Sequence, residues 1–135
     1  MLSNCSLFEI SSFVDERGSL SFLEQDLEIP FDIKRIYYLY DTKHKIVRGV
    51  HAHHKLEQII IALTGKFEIK IDDGRDSKII MLDKPNHGLY LSPMIWREVT
   101  PLEDGGVFLV LASRKYEETD YIHEYKEFLN YLDKI

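Results

Sequence analysis

The sequence predicts an all-β domain, an antiparallel sandwich or barrel, followed by one C-terminal α-helix. Three observations predict it. The apolar runs are short and rich in β-branched and aromatic residues, turn signals separate them at close intervals, and helical spacing of apolar residues appears in the last segment. A chain of 135 residues has the length of one ordinary domain. We expect a single domain over residues 1–135, with the barrel over about 1–113 and the helix over about 119–134.

Taken in order, "LFEISSFVDERGSLSFLEQ" reads as two strands around a turn at Asp15–Gly18, and "IKRIYYLYD" as a strand ending in a polar loop, residues 41–47. "QIIIALTGKFEIKIDDGRDSKIIML" gives two strands meeting at Thr64–Gly65, then a turn at Asp73–Gly74 into a third. "HGLYLSPMIWREVTPL" and "GVFLVLAS" complete the β series. In the tail, Tyr121, Tyr125, Phe128 and Leu132 fall at helical spacing, Ile122 and Leu129 widen the stripe, and Thr119 or Asp120 is placed to cap its start. That helix is expected to pack on the outside of the barrel, its tyrosines serving packing rather than chemistry.

Apolar residues make up 44% and charged residues 30%, the balance of a soluble globular protein. The formal net charge of −6 argues against general nucleic-acid binding, so local basic sites must account for any anionic ligand. Cys5 is the single cysteine and forms no internal disulfide, which suits a reducing cytoplasm. No apolar stretch approaches the ~18 residues of a membrane span, and the N-terminus lacks the basic and apolar regions of a signal peptide. The expected setting is cytoplasmic, with no nucleic-acid or membrane partner.

The stretch "RGVHAHHKLEQ", residues 48–58, concentrates chemistry-bearing side chains. If Val50–His54 is extended, His51 and His53 project from one face and His54 from the other. The spacing Gly49-x-His51-x-His53-x-x-x-Glu57, followed by Gly65, resembles the first motif of the cupin superfamily, a jelly-roll barrel or double-stranded β-helix. Metal-binding cupins add a histidine from a later Pro-x-Gly-x-x-His pattern. Here Pro93 is followed by Ile95 in place of the glycine and Glu98 in place of the histidine, and the neighbouring Arg97 opposes a cation.

The words "DERGSLSFLEQ", "IPFDIKRIYYLYDT", "RGVHAHHKLEQIIIALTGKFEI", "GLYLSPMIWREV" and "VLASRKYEETDYIHEYKEF" follow one another across nearly the whole chain. Together they resemble the dTDP-sugar 3,4-ketoisomerases, the WxcM-like cupins. The resemblance implies isomerisation of dTDP-4-keto-6-deoxyglucose to a dTDP-3-keto-6-deoxyhexose. It also implies a homodimer with exchanged N-terminal strands, no metal and no redox cofactor. The product is one that an aminotransferase turns into a 3-amino sugar for surface glycans such as lipopolysaccharide.

The residues suit that chemistry. Moving a ketone from C4 to C3 removes the C3 proton, passes through an enediol and returns a proton to C4, with no net electron loss. An imidazole titrates near neutrality and can take and give a proton, so His51 and His53 are the catalytic candidates, one at carbon and one at oxygen. Arg17, Arg35 and Arg48 stand at family-matching positions, where an arginine fork suits phosphate or a developing enolate oxygen. Tyr38 is a candidate for a sugar oxygen or thymine, and Glu57 and Gln58 for orienting the histidines from behind. In the resembling family, galacto products go with arginine in the early "RG" turn and histidine after the tryptophan, gluco products with tyrosine and arginine. This chain carries Arg17 and Arg97, one from each pattern, and Arg17 favours the galacto form. A nucleotide-sugar epimerase, a metal-dependent cupin enzyme and a non-catalytic nucleotide-sugar-binding cupin are the alternatives on the same scaffold.

Overall fold

Side chains alternate between the two faces of each strand, and this alternation sorts the chain into an apolar interior and a partly covered exterior. The computed structural model describes residues 1–135. One five-stranded sheet has the order β1 (Ser6–Glu9), β9 (His87–Leu91), β6 (Gln58–Thr64), β11 (Val107–Ala112), β4 (Arg35–Leu39). The second has the order β12 (Tyr121–Ile122), β5 (Arg48–His53), β10 (Trp96–Pro101), β7 (Phe67–Asp72), β8 (Ser77–Leu82). All the pairings within the two sheets are antiparallel, giving the jelly-roll sandwich that the sequence predicts.

The main core lies between the sheets, where Ile60, Ala62, Phe67, Ile69, Ile71, Leu89, Leu91, Val99, Phe108 and Val110 are buried in one cluster. Burying each large aliphatic or aromatic side chain is worth about 1.5–3 kcal/mol, which makes this layer the main support of the sandwich. Ile59, Ile61 and Leu111 point outward from the first sheet and are covered by Ile10, Ile29 and Phe31. The second sheet is covered on its outer face by α1 (Tyr125–Asp133), whose Phe128 packs on Ala52, Trp96 and Ile122. No helix is long and apolar enough to cross a membrane.

Two segments depart from the sequence expectation. The helix begins at Tyr125 rather than near 119, with Glu124 at its N-cap and no capping side chain. Tyr121 and Ile122 instead form an edge strand opposite His53 and Ala52, and Asp120 turns its carboxylate to the backbone N–H groups of Lys55 and Leu56. The apolar stripe continues through both forms, because one face of a short strand and one face of a helix can cover the same sheet. At the other end, the first expected strand divides in two. β1 pairs with β9, while β2 (Ser12–Asp15) leaves the sheet and pairs only with β3 (Gly18–Ser21) around the expected turn.

Candidate active site

The interior face turns polar at one end of the sandwich. Alternation along β4 puts Arg35, Tyr37 and Leu39 inward, and along β6 it puts Gln58 and Ile60 inward. Across from them, β5 contributes His51 and His53, β10 contributes Arg97, and β12 contributes Tyr121. A cavity of about 370 Å³ opens there, lined by Tyr37, Arg48, His51, Gln58, Arg97, Tyr121 and His123 among polar side chains, with Leu39, Ile60, Val99, Phe108 and Val110 as its apolar wall. No carboxylate lines it, so a protein of net charge −6 presents a cationic pocket.

A β-bulge sets the cavity mouth. In a regular strand Arg48 and His51, three apart, would face opposite ways. Gly49 adopts φ +61°, and the β5–β10 register slips between the Arg48–Val99 and His51–Arg97 pairs. The extra residue lets Arg48 and His51 both border the cavity. A Cβ on Gly49 would meet Val99 Cγ2 at 3.6 Å and His51 Cε1 at 3.8 Å, ordinary contacts, so the cost of adding one is conformational. Gly49→Ala is therefore expected to lower unfolding stability by about 1–2 kcal/mol, read from a denaturant midpoint, with the fold retained.

His51 faces the cavity and His53 lies behind it, 2% exposed, with ring centroids 4.7 Å apart and planes near perpendicular. Tyr121 packs on both rings, at 4.9 Å and 4.3 Å, and stacks on His123 at 5.5 Å. Arg97 is buried and its Nη2 lies 3.3 Å from Nε2 of His51, so the guanidinium donates to a neutral imidazole and marks Nε2 as the unprotonated nitrogen. Burial first, then the Arg97 charge and then His123 push the His51 pKa down to about 3. Burial and the charges of Arg97, His51, Arg35 and His123 hold His53 well below the usual imidazole range.

These depressions have a sign for stability. Between the ordinary value of 6.5 and about 3, an unfolded chain binds the proton that folded His51 refuses, so stability declines as pH falls through that window. The thermal midpoint is expected to drop from pH 7 to pH 4, and to drop less in His51→Asn. Equal pH dependence in the two proteins would contradict a neutral, half-buried His51.

Tyr37 accepts a hydrogen bond from Gln58 Nε2 at 2.7 Å, which leaves its own hydroxyl proton free to donate into the cavity. Burial raises its pKa, so it remains a phenol. Arg35 stacks over the Tyr37 ring at 5.0 Å on the same inward face.

The structure brings His51, His53, Arg35, Arg48, Arg97 and Gln58 to one end of the sandwich, and leaves three other sequence candidates elsewhere. Tyr38 is 59% exposed and packs on Tyr40 outside; its neighbour Tyr37 holds the inward position. Period two contains that signal, since Arg35 and Tyr38 cannot share a strand face whereas Arg35 and Tyr37 can. Glu57 accepts the Tyr90 hydroxyl at 2.6 Å and is not among the cavity residues, because only Gln58 has the inward phase of β6. Arg17 stands at the tip of the β2–β3 hairpin, its side chain 85% exposed and paired with Asp15. Tyr37, Asp120, Tyr121 and His123 are site residues that the sequence reading did not select. Glu98, where a metal-binding cupin has histidine, accepts from Trp96 Nε1 at 3.3 Å and does not line the cavity.

The family model described as FdtA, WxcM-like, C-terminal, matches residues 3–133. A TDP-4-oxo-6-deoxy-alpha-D-glucose-3,4-oxoisomerase of Aneurinibacillus thermoaerophilus is 44% identical over 129 residues, 96% of this chain and 93% of the relative. A crystal structure of a 3,4-ketoisomerase from Helicobacter canadensis superposes with a TM-score of 0.94 at 46% identity, over 96% of this chain and 98% of that one. The H51N variant of the 3,4-ketoisomerase QdtA from Thermoanaerobacterium thermosaccharolyticum, in complex with TDP-4-keto-6-deoxyglucose, superposes with a TM-score of 0.94 at 41% identity, over 99% and 97% of the two chains.

Proposed function

The chain belongs to the WxcM-like, C-terminal (FdtA) family, and from that premise we propose that it is a sugar 3,4-ketoisomerase converting TDP-4-keto-6-deoxyglucose to the 3-keto isomer. The observation that carries the reading is His51 lining a carboxylate-free cavity, with a buried guanidinium 3.3 Å from its Nε2. His51 removes the C3 proton. Arg97, beside the base, stabilises the enediolate oxygen that forms as the proton leaves. Tyr37 donates to a sugar oxygen, and His53 moves the proton that must pass between O3 and O4. His51 then returns a proton to C4. The diphosphate pairs with Arg48 at the mouth and with Arg35. Its negative charge offsets the field of Arg97 and raises the proton affinity of His51 when substrate is bound.

The homodimer belongs to the same proposal. β1 pairs with its own chain's β9, so the N-terminal segment available for exchange is the β2–β3 hairpin. Phe13, Val14, Leu20 and Phe22 are exposed on and beside it. Crossing to a second copy buries these side chains and carries Arg17 to the partner's cavity, which accounts for a family-matching arginine far from its own. A nucleotide-linked substrate and a single free cysteine suit the cytoplasm. The 3-ketone is the group an aminotransferase needs for a 3-amino-3,6-dideoxy sugar of a surface glycan.

The test is incubation with TDP-4-keto-6-deoxyglucose and NMR of the sugar, with and without exhaustive chelation. A ketone at C3, formed at equal rates in both, is expected, because proton transfer needs no Lewis acid and Arg97 holds the place beside His51. Return of a 4-keto sugar with inverted C3 or C5 would indicate an epimerase, and return of unchanged sugar a binding protein. Turnover lost on chelation and restored by one divalent ion would overturn the metal-free mechanism.

A further inference from the structure

Asp120 is 8% exposed and is the one carboxylate paired with His53. Its Oδ1 accepts the N–H of Lys55 at 2.9 Å and its Oδ2 that of Leu56 at 3.2 Å. Its own carbonyl accepts the N–H of His54 at 3.0 Å, so the segment before β12 is tied to the strand that carries both histidines. These bonds explain why an acid is buried there, yet they use only part of its capacity. A carboxylate has about four lone-pair sites, and the two backbone donors occupy two of them.

The remaining capacity lies toward His53. Oδ2 is 3.5 Å from Nδ1 of His53, while both imidazole nitrogens of this buried ring have no hydrogen-bond partner. Burying a polar atom unpaired is costly, and Asp120 is the acceptor in reach. The other charged or titratable groups facing the ring are Arg97, His51, Arg35 and His123, all basic, and the phenol of Tyr121, whose ring packs on it at 4.3 Å. Bonds of this kind also tend to be long in a free enzyme and to tighten around bound substrate.

We propose that Asp120 is a positioning residue for His53: it holds the tautomer with hydrogen on Nδ1, leaves Nε2 unprotonated, and stabilises the imidazolium formed while His53 carries a proton between the sugar oxygens. The carboxylate itself gains no proton, and the ring returns to neutrality when the proton is delivered. The second half of this role rests on the ketoisomerase reading; the tautomer does not.

Long-range 1H–15N NMR of the protein labelled at histidine nitrogen tests it, with the His53 signals assigned by their loss in His53→Gln. The Nδ1–H tautomer is expected in the unsubstituted protein. Asp120→Asn, which turns an amide donor toward the ring, is expected to switch it to Nε2–H. That variant should also lower kcat at least about tenfold, with KM for the TDP-sugar changed less than about twofold. Nε2–H in the unsubstituted protein, or an unchanged tautomer in Asp120→Asn even with kcat reduced, would overturn the proposal and leave Asp120 a backbone staple. If Asp120→Asn fails to fold, the spectrum of the unsubstituted protein decides between the same two outcomes. The tautomer is read without substrate, so a protein that does not isomerise the sugar refutes the proposed function and leaves Asp120 to be judged on its own.

Discussion

His51→Asn is expected to reduce kcat by about two to four orders of magnitude, the scale of a removed general acid–base group. TDP binding should remain, because the diphosphate contacts are assigned to arginines. Asparagine matches much of the imidazole's volume and can still accept from Arg97, so the buried guanidinium keeps a partner and the fold survives. His53→Asn is expected to cost about two orders of magnitude. It should cost less than His51→Asn, since His51 lines the cavity and His53 sits behind it. Steady-state kinetics with a parallel TDP titration checks both. Near-normal rates in both variants would return the pair to a structural role.

The second large effect concerns the face of the enediol that receives its proton at C4. Arginine stays charged at any working pH and is a poor proton donor, but it fixes an enediolate oxygen or excludes water. A histidine at position 97 can deliver a proton itself. Arg97 is buried against His51 and lines the cavity, whereas Arg17 is exposed on the β2–β3 hairpin and would reach a cavity only in the proposed strand-exchanged dimer. Arg97→His is expected to move the C4 product ratio toward the galacto form, or to reinforce it, and Arg17→Tyr to move it toward gluco. The ratio is read from the coupling of H4 to its ring neighbours after the 3-keto group is trapped by reduction. Two active variants with an unchanged ratio would show that neither position governs protonation.

The sandwich was legible because its signals are local. Alternation marks the strands, Asp15–Gly18, Thr64–Gly65 and Asp73–Gly74 mark the turns, and the His-x-His spacing places two imidazoles on one strand face. Residues whose position depends on distant partners were less legible. Tyr121 belongs to a helical stripe by spacing, but pairing with His53 makes it strand and turns its ring onto both histidines. Asp120 reads as a helix cap until the Lys55 and Leu56 amides arrive from 65 and 64 residues away. Arg48 and His51 share the cavity only through the Gly49 bulge, which breaks the period that a sequence reading assumes. Gln58 is a sequence candidate that lines the cavity, Tyr37 was recoverable from strand phase alone, and Tyr38 and Glu57 are each the neighbour that phase excludes.

The proposed function rests on His51 moving a proton, through an enediol, between C3 and C4 of a TDP-linked 4-keto sugar. Turnover of TDP-4-keto-6-deoxyglucose in deuterated water, stopped early and resolved by NMR at each ring position, tests it most directly. A 3-keto product carrying deuterium at C4 is expected in the unsubstituted protein, and negligible product with His51→Asn. A 3-keto product formed at a near-normal rate by His51→Asn would show that another group moves the proton, and would contradict that role.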